Sequence, residues 1–358
     1  MRILLAGGGS GGSATPILAV VTEIRARNPE VELLYVGTHD GPEAVLAAEE
    51  GIPYVGIATG KLRRYWDTQN FTDIGNVVRG VGQSLGHVRR FRPDVACGAG
   101  GFASVPPLAA AGLSRVPVLI HQQDAIPGLA NRLLVPFARR ITVALPETVA
   151  AFPASKTTLR GNPVRARILQ SDAEAGFRRL GLDRAVPLVL VTGGGTGALG
   201  LNRIVAAAAE RLVSACQLLH LTGRGRGVET PDLGPRYQQR EFMVEEMPDA
   251  LAAATVVVSR AGLGTLSELA ALGKPTVIVP MPASHQEANA RAFARDGGAL
   301  VLDQTTLTPD VLAATVLDLL QDAPKREALG AAIHRTMPLD AATHIAEDVL
   351  ALAAARRA

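Results

Sequence analysis

Two glycine-rich loops, each directly behind the first apolar run of its half, constrain this chain more than any other feature. Residues 3–6 read as a short buried strand and lead into Gly7-Gly8-Gly9-Ser10-Gly11-Gly12. Residues 188–192 read the same way and lead into Gly193-Gly194-Gly195-Thr196-Gly197. Helical patterns follow both loops, over residues 17–26 and from about 201 to 213. Further apolar runs occur at 33–36, 95–97 and 118–121 in the first half, and at 218–222, 256–259 and 276–279 in the second. Strand runs alternating with helical patterns mark βαβ units and parallel sheets, so the fold class is α/β. A second glycine turn follows a later strand in each half, at 98–101 and at 262–264.

The 358 residues suit two such domains of roughly 150–180 residues each. The Gly161-Asn162-Pro163 turn marks the boundary. The expected units are 1–160 and 161–340, followed by a helix over 341–358 that could pack on the first domain. Cys97 and Cys216 are too few for a disulfide framework and fit a reducing compartment. The apolar run at the N-terminus stops at Gly7, which is short for a secretion signal, and no run of 18 apolar residues spans a membrane. The expected location is the cytoplasm.

Gly7, Gly9 and Gly12 have the Gly-x-Gly-x-x-Gly spacing, which brings backbone close to a diphosphate at a helix start. An NAD site also needs an acidic residue ending the second strand, but that strand ends Val36-Gly37-Thr38 and Asp40 comes late. A dehydrogenase is therefore the weaker reading.

In the second half, Ser259-Arg260-Ala261-Gly262-Leu263-Gly264-Thr265 leads from a strand into a helix that holds Glu268. Such a helix start can receive phosphate oxygens, and Glu268 can take two ribose hydroxyls or merely complement the helix dipole. His285, Gln286 and Asn289 follow a Pro-rich strand exit and suit sugar hydroxyls and an acetamido group. No Asp-x-Asp or spaced His cluster accompanies them, so neither a metal nor another cofactor is expected.

These motifs occur together with Gly60-Lys61-Leu62-Arg63-Arg64-Tyr65, Gly100-Gly101-Phe102-Ala103-Ser104, the segment 121–131 and Gly161-Asn162-Pro163-Val164-Arg165. In this order they resemble the MurG-type UDP-N-acetylglucosamine transferases of glycosyltransferase family 28, over the chain to about residue 335. The resemblance implies a GT-B fold, with two Rossmann-like domains facing each other across a cleft. It implies inverting, metal-independent transfer of N-acetylglucosamine from UDP-GlcNAc to lipid I, giving lipid II for peptidoglycan, cell shape and division. Donor contacts carry over to Arg165, Gly194, Thr196, Gly262, Gly264, Thr265, Glu268, His285, Gln286 and Asn289. Acceptor contacts carry over to Ser10, Gly11, Gly12, Ser13, Lys61, Arg63, Gly101 and Asp124.

The departures all fall on the acceptor side. Ser10 and Ser13 replace the family's Thr and His, and His121-Gln122-Gln123-Asp124 replaces His-Glu-Gln-Asn. A serine is no general base near neutral pH without a partner, so at Ser13 the family's candidate base is missing. Asp124 and His121 are the other candidates. Asp124 reads equally well as the cap of a helix over 126–134 with Pro127 in its first turn, and His121 as a satisfied histidine at a strand end.

Ile74, Val77, Val78, Val81, Leu85 and Val88 form one apolar stripe, read as core-facing. Basic knots flank it at Lys61, Arg63 and Arg64 and at Arg89, Arg90 and Arg92, with Tyr65 and Trp66 beside the first. Each knot is a solvated face or an anionic contact. In MurG-type enzymes the first domain docks on the anionic inner face of the cell membrane, and peripheral association is the expectation here. No aromatics interleave a basic stripe, so nucleic acid is not an expected partner. Two alternatives remain: the same donor with a different acceptor, and a catalytically silent sugar-nucleotide binder.

Overall fold

A computed structural model describes residues 1–9, 11–60, 69–195 and 197–357, without the side chains of 11, 69–72 and 74. The chain forms two compact units, Met1–Arg165 with Met337–Ala358, and Ala166–Thr336.

The first unit alternates strand and helix: β1 (Arg2–Ala6), α1 (Gly11–Arg27), β2 (Glu32–Thr38), α2 (Pro42–Glu49), β3 (Tyr54–Ile57) and α3 (Gln69–Phe91). It continues with β4 (Val95–Gly98), α4 (Val105–Leu113), β5 (Val118–Gln122), α5 (Leu129–Leu134), β6 (Ala138–Val143) and β7 (Thr157–Leu159). Among the described residues the strands make one parallel sheet in the order β3-β2-β1-β4-β5-β6-β7. Ile3 and Leu5 of β1 point into one apolar layer, and Leu4 and Ala6 into the layer on the other face. Burial on both faces is why these strands read as continuous apolar runs.

The second unit comprises α6 (Ala166–Leu169), α7 (Ala173–Leu180), β8 (Leu188–Thr192), α8 (Leu199–Val213), β9 (Gln217–Leu221), β10 (Tyr237–Arg240) and α9 (Met247–Ala253). β11 (Val256–Ser259), α10 (Leu263–Ala271), β12 (Thr276–Ile278), α11 (Gln286–Ala294), β13 (Leu300–Val301), α12 (Pro309–Gln321) and α13 (Ala323–His334) complete it. Its parallel sheet has the order β10-β9-β8-β11-β12-β13.

Strand order reverses between β1 and β4 in one sheet and between β8 and β11 in the other. Ligands of open α/β sheets bind outside the strand ends at such a switch point. Each half's two glycine turns follow these same strands, which accounts for the paired loops in the sequence.

α14 (Ala341–Arg357) returns to the first unit, where Ile345, Ala346, Val349 and Ala353 join the layer that contains Ile17, Val21 and Ile24. Asp348 is 4% exposed and accepts from Arg160 Nε and Nη2, both at 3.0 Å, and from Arg140. The turn at Gly161-Asn162-Pro163, expected to mark the boundary, is built into the first unit. A Cβ at Gly161 (φ 81°) would stand 1.9 Å from Pro338 O, and Asn162 is buried. The division falls between Arg165 and Ala166 instead.

Candidate active site

In the first unit the two glycine turns pack backbone against backbone. A Cβ at Gly101 (φ 80°) would lie 2.3 Å from Gly8 O, and one at Gly9 (φ 84°) 2.1 Å from the Phe102 ring. Both are left-handed positions that glycine holds at little cost. Ser13 is buried at the start of α1, its hydroxyl 3.5 Å from Gly8 O and, as the donor, aimed at that carbonyl. Glu43 is fully buried; its Oε2 accepts from Gly9 N at 3.2 Å, and its Oε1 from Thr38 N at 2.9 Å and Thr38 Oγ1 at 2.6 Å. One of the loop N–H groups that a dinucleotide's diphosphate could meet, that of Gly9, already holds the chain's own carboxyl group.

His121 is fully buried, with Nδ1 3.0 Å from Thr142 Oγ1 and Nε2 3.1 Å from Asn162 Oδ1. Burial pushes its pKa down to about 4, against a smaller opposing effect of the Asn162 bond. With both ring nitrogens engaged and no solvent access, it cannot serve as the base. The satisfied-histidine reading is the one the structure supports.

Asp124 is half-buried in the loop after β5. The expected helix over 126–134 begins only at Leu129, with Gly128 as its cap residue and no side-chain cap, so Asp124 does not cap it. The loop is ordered by Gln122 instead. Its Nε2 donates to Asp124 O at 2.8 Å and Ile126 O at 3.3 Å, and its Oε1 accepts from Gly128 N at 3.2 Å and Asn131 Nδ2 at 2.8 Å. Gln123 Nε2 donates to Ala99 O at 3.1 Å, tying the Asp124 loop to the turn that carries Gly101.

Two openings border these loops. A cleft of about 540 Å3 is lined by Gly9, Thr38, His39, Asp40, Thr59 and Phe102, among others. A smaller, more apolar pocket of about 210 Å3 lies among Gly60, Val77, Gly101, Phe102, Leu129 and Leu133. Among the described residues the apolar stripe of α3 faces the core in its C-terminal half, while Val77 lines the apolar pocket. Val88 is buried and Val81 and Leu85 pack against the core, but Val78 is 67% exposed. Ser10, Lys61, Arg63, Arg64, Tyr65, Trp66 and Thr196 lie outside the described residues, as does the Ile74 side chain.

In the second unit, three turns sit at the C-terminal ends of the adjacent strands β8, β11 and β12. The first is held by Thr192 Oγ1, which accepts from Gly194 N at 3.1 Å, and a Cβ at Gly194 would meet no atom within 4 Å. The second opens α10 without a side-chain cap; Cβ atoms at Gly262 and Gly264 would also meet nothing within 4 Å. Thr265 and Glu268 are half-buried along that helix start, and Ser267 is turned inward to Leu263 O at 2.7 Å. The third turn carries an exposed His285 and a half-buried Gln286, whose Oε1 accepts from Met281 N at 3.1 Å.

Two buried side chains lace the second and third turns together. Arg260 Nη1 donates to Val279 O and Pro280 O, both at 2.9 Å, and burial holds its pKa below the usual arginine value. Asn289 is fully buried and donates to Ala261 O at 3.0 Å, so it braces the site from behind rather than facing a ligand. Arg165 closes the main segment of the first unit and is half-buried.

Sequence reasoning missed Glu43, Gln122 and Arg260 as organisers of these loops. A carboxylate beside a helix start was the available signal for Glu43, but nothing local pointed it at Gly9. Among the described residues no group of three or more His, Cys, Asp or Glu is placed to hold a metal ion, and no helix is long and apolar enough to cross a membrane.

Residues 3–143 match the glycosyltransferase family 28 N-terminal domain, and residues 188–345 its C-terminal domain. The chain is 38% identical over 325 residues to a Bacillus cereus protein named UDP-N-acetylglucosamine--N-acetylmuramyl-(pentapeptide) pyrophosphoryl-undecaprenol N-acetylglucosamine transferase 2, covering 90% of this chain and 92% of that one. The similarly named Symbiobacterium thermophilum transferase is 38% identical over 361 residues, covering 99% and 96%. Among solved structures, Acinetobacter baumannii MurG superposes with a TM-score of 0.74 at 23% identity, covering 98% of this chain and 99% of that one. A Neisseria meningitidis UDP-GlcNAc 2-epimerase shares the fold at a TM-score of 0.67 and 12% identity, covering 98% and 100%. With a parallel Rossmann-like sheet in each unit and both family domains matched in order, this chain is a GT-B glycosyltransferase and belongs to family 28, among the MurG-type transferases.

Proposed function

We propose that the chain transfers N-acetylglucosamine from UDP-GlcNAc to the lipid-linked muramyl-pentapeptide acceptor, lipid I, giving lipid II. The observation that carries this reading is the start of α10, where uncapped backbone N–H groups lie beside Gly262 and Gly264 with open space in front and Glu268 one turn in. That arrangement suits a nucleoside diphosphate: phosphate oxygens on the helix start, ribose hydroxyls on the carboxylate. The relatives named for this donor and acceptor align over nine-tenths or more of the chain.

In this mechanism the second unit holds the donor. Gly194, Thr196, Thr265 and Arg165 meet the diphosphate side, while His285 and Gln286 read the N-acetylglucosamine. The acceptor lies against Ser10, Gly11, Gly12, Ser13, Gly101, Lys61 and Arg63 of the first. A free acceptor hydroxyl attacks the anomeric carbon in line, and the new C–O bond forms as the bond to UDP breaks, inverting that carbon. The hydroxyl proton passes to the Asp124 carboxylate, since Ser13 is no base near neutral pH and His121 is sealed in the core. Helix dipoles, backbone N–H groups and Arg165 meet the charge that grows on the leaving UDP, so no metal or other cofactor is invoked.

The first unit is proposed to rest peripherally on the cytoplasmic face of the membrane. Exposed Val78, exposed Leu133 at the apolar pocket and, in the sequence, the basic residues at 61–64 and 89–92 support that placement. Sedimentation with anionic vesicles at low salt tests it, and failure to bind would remove the membrane contact from the reading.

UDP release from UDP-GlcNAc, measured with and without lipid I, tests the activity. Release that requires lipid I is the expected result; tight UDP binding with no turnover on any acceptor would mark a silent binder. A second reading keeps the donor and changes the acceptor, and is favoured by Ser10, Ser13 and Asp124. Turnover on another lipid-linked sugar but not on lipid I would select it.

A further inference from the structure

We propose that Glu43 is the internal hydrogen-bond acceptor of the first glycine loop, a positioning residue that holds Gly8, Gly9 and the start of α1 in the geometry that receives the acceptor. The inference rests on the reading that the first unit holds the acceptor.

The loop is built around this carboxyl group. A Cβ at Gly8 (φ 143°) would lie 2.1 Å from Glu43 Oε1, and one at Gly41 2.3 Å from Oε2. A Cβ at Gly37 would lie 2.9 Å from Glu43 Cγ. Three glycines, from the loop after β1, the end of β2 and the approach to α2, thus leave the volume that the side chain fills. The group is fully buried, and its three donors come from Gly9 and Thr38, a backbone N–H from each and the threonine hydroxyl. No cation pairs with it among the described residues. A buried carboxylate without a cation depends on such donors, and the N-terminal turn of α2 adds favourable dipole.

The surroundings of the carboxyl are equally specific. Tyr35 and Tyr54 stack at 5.8 Å between centroids, and Tyr54 donates its hydroxyl to Thr38 O. Both phenols are held above the usual tyrosine range, by burial first and the nearby Glu43 charge second. Tyr35 is fully buried, and its hydroxyl would lie 3.1 Å from a Cβ at Gly7. Aromatic packing therefore shields the carboxylate, leaving the loop as one of its few partners.

Two consequences follow for binding. The Gly9 N–H is committed, so an acceptor diphosphate must use other N–H groups, at the start of α1. Glu43 acts on that start by fixing Gly9 shortly before it. A loop that samples many conformations binds its ligand more weakly than one already held, and here the chain supplies the hold.

The test compares the full-length wild type with Glu43→Gln and Thr38→Val, using lipid I as acceptor and UDP calorimetry for the donor site. Glu43→Gln cannot accept at both oxygens. It is expected to lower kcat/KM for the acceptor about 10- to 100-fold, chiefly through KM, with UDP affinity and the far-ultraviolet spectrum unchanged. Thr38→Val, which removes one donor, is expected to raise acceptor KM about threefold or more. Acceptor KM within twofold of wild type in Glu43→Gln overturns the inference. If that variant does not fold, Thr38→Val decides alone, and an unchanged acceptor KM overturns it. Wild-type protein that transfers to no lipid-linked acceptor overturns the functional reading, and this inference with it.

Discussion

At the scale of single residues, the chemistry reduces to where a proton can go. His121 is engaged at both nitrogens and Ser13 is turned toward a carbonyl, and the proposed mechanism therefore gives the proton to Asp124, on the loop that Gln122 holds. Asp124→Asn should lower kcat about 100-fold or more while UDP affinity stays unchanged. Near-normal turnover would assign the proton elsewhere. The placement of Gly262 and Glu268 at a helix start was legible from a strand–glycine–helix pattern, because that pattern is local. Glu43 was not, since its partner Gly9 is 34 positions away and no periodicity links them. The cap reading of Asp124 failed for a related reason: Pro127 and Asp124 fit a helix start, but the helix begins only at Leu129 and Gln122 holds the loop before it.

At the scale of elements, most central strands announced themselves, while the edge strands and the interior β6, which carries Arg139 and Arg140, did not. β1, β8 and β11 are apolar in all but one terminal residue each, whereas β10 reads Tyr-Gln-Gln-Arg and β7 is three residues long. Edge strands are half-covered and need no apolar run, so the sequence carried little trace of them. Helix starts offer a sharper test, because stability and binding should move in opposite directions. Gly264 lies in the first turn of α10 with open space at its Cβ position. Gly264→Ala should stabilise the second unit by about 0.5–1 kcal/mol through helix propensity. It should also weaken UDP binding by intruding where phosphate would sit. Unchanged UDP affinity in a stabilised variant would show that this helix start is not the phosphate site. In α14, Asp348→Ala strips Arg140 and Arg160 of a buried partner. A loss of about 2–3 kcal/mol in urea unfolding of the first unit is expected, below a fully buried pair because both arginines are partly exposed. A loss under half of that would mean the helix is held by its apolar face alone.

At the scale of the molecule, one buried histidine in each unit ties stability to pH. His121 and His220 both have pKa values pushed down to about 4 by burial. In the unfolded chain a histidine titrates near 6.5. Between these values the unfolded chain binds protons that the native protein excludes. Stability is therefore full above about pH 6.5 and falls as pH drops toward 4, by on the order of 2 kcal/mol per histidine between pH 7 and pH 5. Thermal melting at pH 7, 6 and 5 measures this, and a melting temperature that does not fall would contradict it. Each unit's histidine should act on that unit, so His220→Gln should flatten the pH response of the second unit only.

The return of α14 to the first unit has a consequence for the order of events during synthesis. Residues 166–336 are an insertion within the unit formed by Met1–Arg165 and Met337–Ala358. A ribosome completes the inserted unit while the surrounding one still lacks Ile345, Ala346, Val349 and Ala353, and with them one side of an apolar layer. The half made first is thus the one whose apolar layer closes only when the last helix is added, in contrast to the usual N-to-C order in which domains mature.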